Sequence, residues 1–199
     1  HAAYIQFRSF TGDKEKPSWK YDVGLRGEQV WNNGQAATNN VSFSNNYFNL
    51  FPTANISYYK TPDEFWKLSY SRRINRPGLG QLNPFVDITD SLNKHGGNPY
   101  LKPELVHSLE WEYNKEWSKL SVYTTLFYRN ATNTIRQFTV LFPNGVALTQ
   151  PVNIGNATTY GLENIIIARP FHKYDVNLSL SFFQQHINGT NLDKAAVND

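Results

Sequence analysis

The sequence predicts an all-β fold of antiparallel, up-and-down strands belonging to a transmembrane β-barrel, and three observations carry that prediction. Apolar residues recur with period two and only poorly with the 3.6-residue period of a helix. The strand-like runs are much longer than the ~5–6 residues usual in soluble sheets. Short charged turns alternate with long polar connections, which suits a barrel with tight turns on one rim and long loops on the other.

Eight strands are expected, at roughly 2–9, 19–31, 47–59, 64–74, 104–116, 118–141, 146–169 and 173–187. The first follows directly from His1-Ala2-Ala3-Tyr4-Ile5. In the second, Tyr21, Val23 and Leu25 alternate with Asp22, Gly24 and Arg26. The third and fourth flank a short turn at 60–63. In the fifth, Leu109, Trp111 and Tyr113 oppose Ser108, Glu110, Glu112 and Asn114. The sixth shows Leu120, Val122, Leu126 and Tyr128 on one face. Pro143-Asn144-Gly145 joins it to the seventh, and an Asn-Gly step is a strong hairpin signal. The last strand sets Tyr174, Val176, Leu178, Leu180 and Phe182 against Asp175, Asn177, Ser179 and Ser181. A one-residue slip there would turn Asp175 toward the apolar side.

The connections fit the same scheme. Short turns fall near 12–18, 60–63, 115–118 and 169–173, and long polar connections at 32–46 and 75–103. Trp19 and Tyr21, Tyr58 and Trp66, Trp111 and Trp117, and Phe171 and Tyr174 flank the short turns in order. Such rings belong at a lipid–water interface, where an apolar body and a polar edge are both satisfied.

Composition bounds the function. Hydrophobic residues make up 40%, aromatics 15% and charged residues 18% of the 199 residues, a balance that favours pleated surfaces and turns over helices. The formal charge of +3 is spread singly along the chain, so a nucleic-acid partner, which needs a concentrated basic stripe, is not expected. Cysteine is absent, which removes disulfides and thiolate metal sites. No run approaches the ~20 apolar residues of a spanning helix. No secretory signal opens the chain, and both ends read as interior sequence. Residues 1–199 are therefore expected to be a section of the barrel domain of a longer protein.

No catalytic or cofactor chemistry is expected. His1, His95, His107, His172 and His186 lack metal-ligand spacing. His95-Gly96-Gly97 has no accompanying nucleophile elbow. Gly78-Leu79-Gly80 lacks the glycine spacing of a phosphate loop. Asp87 and Asp90 read as a solvated loop, and the Asn130 and Asn156 sequons matter only in a eukaryotic secretory protein.

Three stretches carry a family likeness. The first is Tyr70-Ser71-Arg72-Arg73-Ile74-Asn75-Arg76-Pro77 with Leu82-Asn83-Pro84-Phe85. The second is Gly97-Asn98-Pro99-Tyr100-Leu101-Lys102-Pro103-Glu104. The third is Val152-Asn153-Ile154-Gly155-Asn156-Ala157-Thr158-Thr159-Tyr160-Gly161-Leu162-Glu163. In this order they resemble the barrel domain of TonB-dependent outer-membrane receptors. Physically, Pro99 and Pro103 hold the chain extended as it descends into a strand, and Gly161 permits a bend or close approach in mid-strand.

The resemblance implies a 22-stranded barrel in the bacterial outer membrane, filled by a plug domain outside this sequence. It implies import of a scarce nutrient, such as a metal chelate, vitamin, glycan or peptide, driven by TonB through that plug. The partners are then outer-membrane lipid, the TonB complex and the nutrient. Arg72, Arg73 and Arg76 lead into the longest loop, which offers Phe85, His95 and Tyr100. These six are the candidate ligand-binding residues, since Arg and aromatics are common anchors. The strand pattern also leaves open a small barrel, a passive channel or adhesin, and a soluble β-sandwich binding carbohydrate. An isolated open half-barrel is expected to self-associate through its edges.

Overall fold

The computed structural model describes residues 1–13, 17–36, 41–171 and 174–189. Parts of the expected turns at 12–18 and 169–173, with His172, the middle of the 32–46 connection, and the tail from Thr190 lie outside the described residues.

Eight strands form one antiparallel sheet: β1 (Ala2–Gly12), β2 (Pro17–Ala36), β3 (Val41–Thr61), β4 (Glu64–Asn75), β7 (Glu104–Glu116), β8 (Leu120–Thr132), β11 (Asn156–Phe171) and β12 (Tyr174–Asn188), in that order. Between β4 and β7 lie a short helix α1 (Leu79–Leu82), β5 (Val86–Asp87) and β6 (Asn93–Gly96). With β9 (Ile135–Leu141) and β10 (Ala147–Asn153) the latter two make a second sheet, ordered β5-β6-β10-β9.

Four expectations are corrected here. The run 118–141 is two strands, β8 and β9, parted where Asn133 adopts φ 56. The run 146–169 is likewise parted at Gly155, φ 122. Left-handed residues cannot continue a ladder, and Asn and Gly are the types that adopt that conformation at least cost. The 75–103 connection is not plain loop, because β5 and β6 extend the 135–153 hairpin, β6 pairing parallel to β10. The 32–46 connection is mostly strand, with β2 and β3 still paired at Ala36↔Val41.

Register divides the large sheet into two unlike sides. Tyr21, Ile56, Leu68, Trp111, Leu126, Leu162 and Phe182 face one another across seven strands. One residue along, on the other side, stand Lys20, Ser57, Lys67, Glu112, Thr125, Glu163 and Ser181. Each apolar face read from the sequence lies on the first side. That side is open: Leu126 is 47% exposed and Phe182 64%. Every Å² of it left in water costs roughly 25 cal/mol, so an apolar face this extensive belongs against lipid. We call it the outer side.

Among the described strand residues of this sheet, Glu64 is the outer side's one carboxylate. It sits at the short-turn rim, where Lys115 meets it at 2.6 Å and Lys60 at 3.6 Å. Just above that rim the rings of Trp19, Tyr58, Trp66 and Tyr113 form a ladder with centroid separations of 4.7, 5.7 and 5.3 Å. Tyr113, rather than Trp111, takes the girdle position on β7, because Trp111 stands two residues farther from the turn. Gly161 has no room for a side chain. A Cβ there would lie 2.7 Å from Phe183 Cβ and 2.9 Å from Phe127 Cζ.

Candidate functional site

The loop-side end of the sheet is held by a small knot in which all three likeness stretches meet. Leu82, Leu101, Pro151 and Val152 are buried within it. Asn153 accepts at Oδ1 from the Lys102 N–H (2.8 Å) and donates from Nδ2 to the carbonyls of Lys102 (2.9 Å) and Asn133 (2.7 Å). Asn98 donates from Nδ2 to the Pro151 carbonyl at 3.2 Å. The Asn98 and Gly97 amides donate to the Gln81 and Asn83 carbonyls at 2.6 and 3.1 Å. Glu104, buried at the start of β7, accepts from the Ile135 N–H (2.6 Å) and from Asn75 Nδ2 (2.7 Å). A buried backbone without such partners would be costly, which explains why these Asn, Pro and Gly residues travel together.

The six candidate residues do not form one cluster. Arg72 and Arg73 are consecutive in β4 and therefore point to opposite sides. Arg72 is on the outer side, opposite His107, and donates from Nη1 to the Leu50 carbonyl at 3.0 Å. This satisfies an oxygen of β3 beyond the last β3–β4 pair. Arg73 is on the inner side, opposite Val106, where its charge adds to the field at Glu110. Arg76 reaches Glu28, forming an ion pair, and its Nε donates to the Tyr47 hydroxyl at 3.3 Å. Phe85, His95 and Tyr100 lie in the loop region, with Phe85 and Tyr100 both exposed.

Arg76 and Arg73 thus belong to an inner, charged array that also holds residues not singled out in the sequence. Arg26 pairs with Glu28 at 2.9 Å and lies over the buried Phe51 ring at 5.0 Å. Arg129 pairs with Glu110 at 3.0 Å, and Ser108 donates to the same oxygen. Four arginines against two carboxylates leave this array net positive. Its contacts span up to 48 positions in sequence, so only the alternation of charged with apolar residues in β2 and β7 hinted at it.

His95 belongs to a separate polar row. Asp87, His95, Thr149 and Thr139 stand in register across β5, β6, β10 and β9, and the two threonine hydroxyls lie 2.8 Å apart. Hydrogen bonds from the Thr89 hydroxyl and amide hold the Asp87 carboxyl below the usual carboxylate range. The Asn93 side chain and the Leu92 and Asn93 amides do the same for Asp90. His95 lowers both a little further. Among the described residues no group of three or more His, Asp or Glu side chains is placed to hold a metal ion.

The model of the outer membrane protein beta-barrel family matches residues 1–199. No curated protein matches the sequence. Among solved structures, the copper transporter OprC is similar with a TM-score of 0.71 at 13% identity, over 92% of this chain and 28% of that one. The FrpB iron transporter of Neisseria meningitidis (F3-3 variant) gives 0.68 at 16%, over 97% and 26%. The siderophore receptor PirA of Pseudomonas aeruginosa gives 0.62 at 15%, over 92% and 42%. At these identities the likeness is one of fold, and the chain spans less than half of each structure. All three are named as receptors or transporters.

Proposed function

Because the chain belongs to the outer membrane protein beta-barrel family, and so resides in the bacterial outer membrane, we propose that it forms part of the wall of a TonB-dependent receptor importing a scarce nutrient. The carrying observation is the contrast between the two adjacent rows of the sheet, apolar toward lipid and charged toward the lumen. A lumen lined by paired and unpaired charge suits a polar solute held on its way through.

The ligand class that fits best is an anionic metal chelate. Arg26, Arg73, Arg76 and Arg129 outnumber Glu28 and Glu110 on the inner side near the long loops. Arginine presents a planar fork to carboxylate, catecholate or phosphate oxygens. The structural neighbours include proteins named for iron, siderophore and copper, which favours a chelate over a glycan, vitamin or peptide. Phe85, His95 and Tyr100 would meet the ligand at the loops. Arg72, on the outer side, would not. Coupling to TonB would pass through a plug domain inside the complete barrel.

The test is uptake of radiolabelled ferric chelates by cells carrying the full-length receptor or its Arg73→Gln/Arg76→Gln variant. Losing charge-assisted hydrogen bonds of about 1.5–3 kcal/mol is expected to weaken uptake affinity roughly tenfold or more. Uptake identical in the variant, or passive leakage of small solutes independent of the proton gradient, would overturn the proposal.

A further inference from the structure

Two arginines of the inner array rest on buried aromatic rings. The Arg129 guanidinium lies over Phe127 at 4.6 Å, and the Arg26 guanidinium over Phe51 at 5.0 Å. The two rings are 6% and 2% exposed, whereas the arginine side chains above them are 46% and 47% exposed. A carboxylate holds each guanidinium from the side: Arg129 Nη2 meets Glu110 at 3.0 Å and Arg26 Nε meets Glu28 at 2.9 Å. A ring below, a carboxylate beside and an open lumen above thus occur together twice on one wall. Arg8, on the inner side nearer the short turns, has its carboxylate partner Asp22 but no ring contact among the described residues.

The strand register explains the fit at β8. Phe127 and Arg129 are two residues apart and therefore share a side. Phe127 stands in register with Glu110 on β7 and Gly161 on β11. Its Cζ lies 2.9 Å from where a Gly161 Cβ would be, so the ring leans across bare backbone. Ser108 donates to the Glu110 oxygen that receives Arg129, which fixes the carboxylate in turn. The negative face of an aromatic ring attracts a cation held over it. With one face on Phe127 and Nη2 on Glu110, the guanidinium keeps one orientation, and its Nε and Nη1 make no hydrogen bond to the described residues. A long side chain ordered before its ligand arrives loses less freedom on binding.

We propose that Phe127 is a positioning residue for ligand capture: it holds Arg129 ready to present its remaining N–H groups to an oxygen of an anionic chelate. Phe51 does the same for Arg26. The strands β2 and β8 are four spacings apart in the sheet, about 19 Å at ~4.8 Å per strand, so the two arginines meet different parts of the lumen. The inference rests on the reading of this array as the seat of an anionic chelate. The alternative is an arginine stem that merely roofs an apolar ring, in which case uptake is blind to the ring's charge distribution.

The test measures gradient-driven uptake of radiolabelled ferric citrate and ferric tris-catecholate by cells carrying the complete protein. Phe127→Leu is expected to raise the half-saturating concentration of the imported chelate about fivefold, the factor lost with one cation–π contact. The maximal rate should stay unchanged. Phe127→pentafluorophenylalanine keeps the ring's shape and reverses its charge distribution, and is expected to raise half-saturation as well. Arg129→Gln should also raise it, and adding Phe127→Leu to that variant should change nothing further, because the ring acts through Arg129. Heat-modifiable gel migration checks that each variant is folded. Unaltered half-saturation in both Phe127 variants would overturn the proposal. So would a Phe127→Leu effect of equal size with and without Arg129, a loss confined to the maximal rate, or Arg129→Gln without effect. In those cases chelate import itself would stand, whereas entry of neither chelate into the unaltered cells would remove the import reading and this inference with it.

Discussion

Asn153 mimics a strand partner for Lys102: its side-chain amide accepts from the Lys102 N–H at 2.8 Å and donates to the Lys102 carbonyl at 2.9 Å. One carboxamide thus fastens the end of the 135–153 hairpin to the chain descending into β7. Asn153→Leu keeps the bulk but strands these groups and the Asn133 carbonyl. It is expected to destabilise the knot by about 1–3 kcal/mol. Limited proteolysis within 135–153 should accelerate at least severalfold, and an unchanged cleavage rate would show that the hairpin is held by other means.

Leu126 and Thr125 are neighbours in β8 on opposite sides of the wall. Leu126→Arg is expected to cost about 2–4 kcal/mol if its position lies near mid-membrane. Thr125→Arg, beside Glu112 and Glu163, should be tolerated. Urea midpoints of the two variants in the same vesicles provide the comparison, and equal midpoints would contradict the sidedness.

Gly161 is fixed by its neighbours rather than by its backbone angles. A side chain there meets the Phe182 carbonyl oxygen first, with Phe183 and Phe127 close behind it, and forcing bulk into a packed site typically costs about 1–3 kcal/mol. Gly161→Val should lower the thermal midpoint, and Gly161→Ala should lower it less. Midpoints equal to that of the unaltered protein would show that the neighbouring strand gives way without cost.

The 87–93 turn is expected to depend on pH. Asp87 and Asp90 are held below the ordinary carboxylate range by bonds that need the charged form. Their stabilisation is therefore complete above the unfolded value of about 3.9 and is lost as pH falls through the lower folded values. Hydrogen exchange at the Thr89, Leu92 and Asn93 amides, corrected for intrinsic rates, should quicken well below pH 4 and stay constant from pH 5 to 8. Quickening near neutral pH would implicate His95 instead.

The wall was legible in the sequence because its alternation is physical necessity. Tyr21, Val23 and Leu25, Leu109, Trp111 and Tyr113, and the 174–182 set all emerge on one side. The breaks at Asn133 and Gly155 were not, since the polar stretches around them are short and a single Asn or Gly does not by itself announce a left-handed residue. Grouping Arg72 with Arg73 overlooked the pleat, which sends consecutive residues to opposite sides. The Arg76–Glu28 contact joins strands β2 and the end of β4, and no local pattern reports a pairing at that separation.

The most direct measurement of the outer side's contact with lipid uses β12. The chain contains no cysteine, so in a cysteine-free background of the complete protein single cysteines introduced from Val176 to Phe182 can each carry a nitroxide label. In vesicles, labels at Val176, Leu178, Leu180 and Phe182 are expected to collide with oxygen and be shielded from a water-soluble nickel reagent, and labels at Asn177, Ser179 and Ser181 to show the reverse. Accessibility without a period of two, or nickel access on both sides, would contradict a membrane-spanning wall.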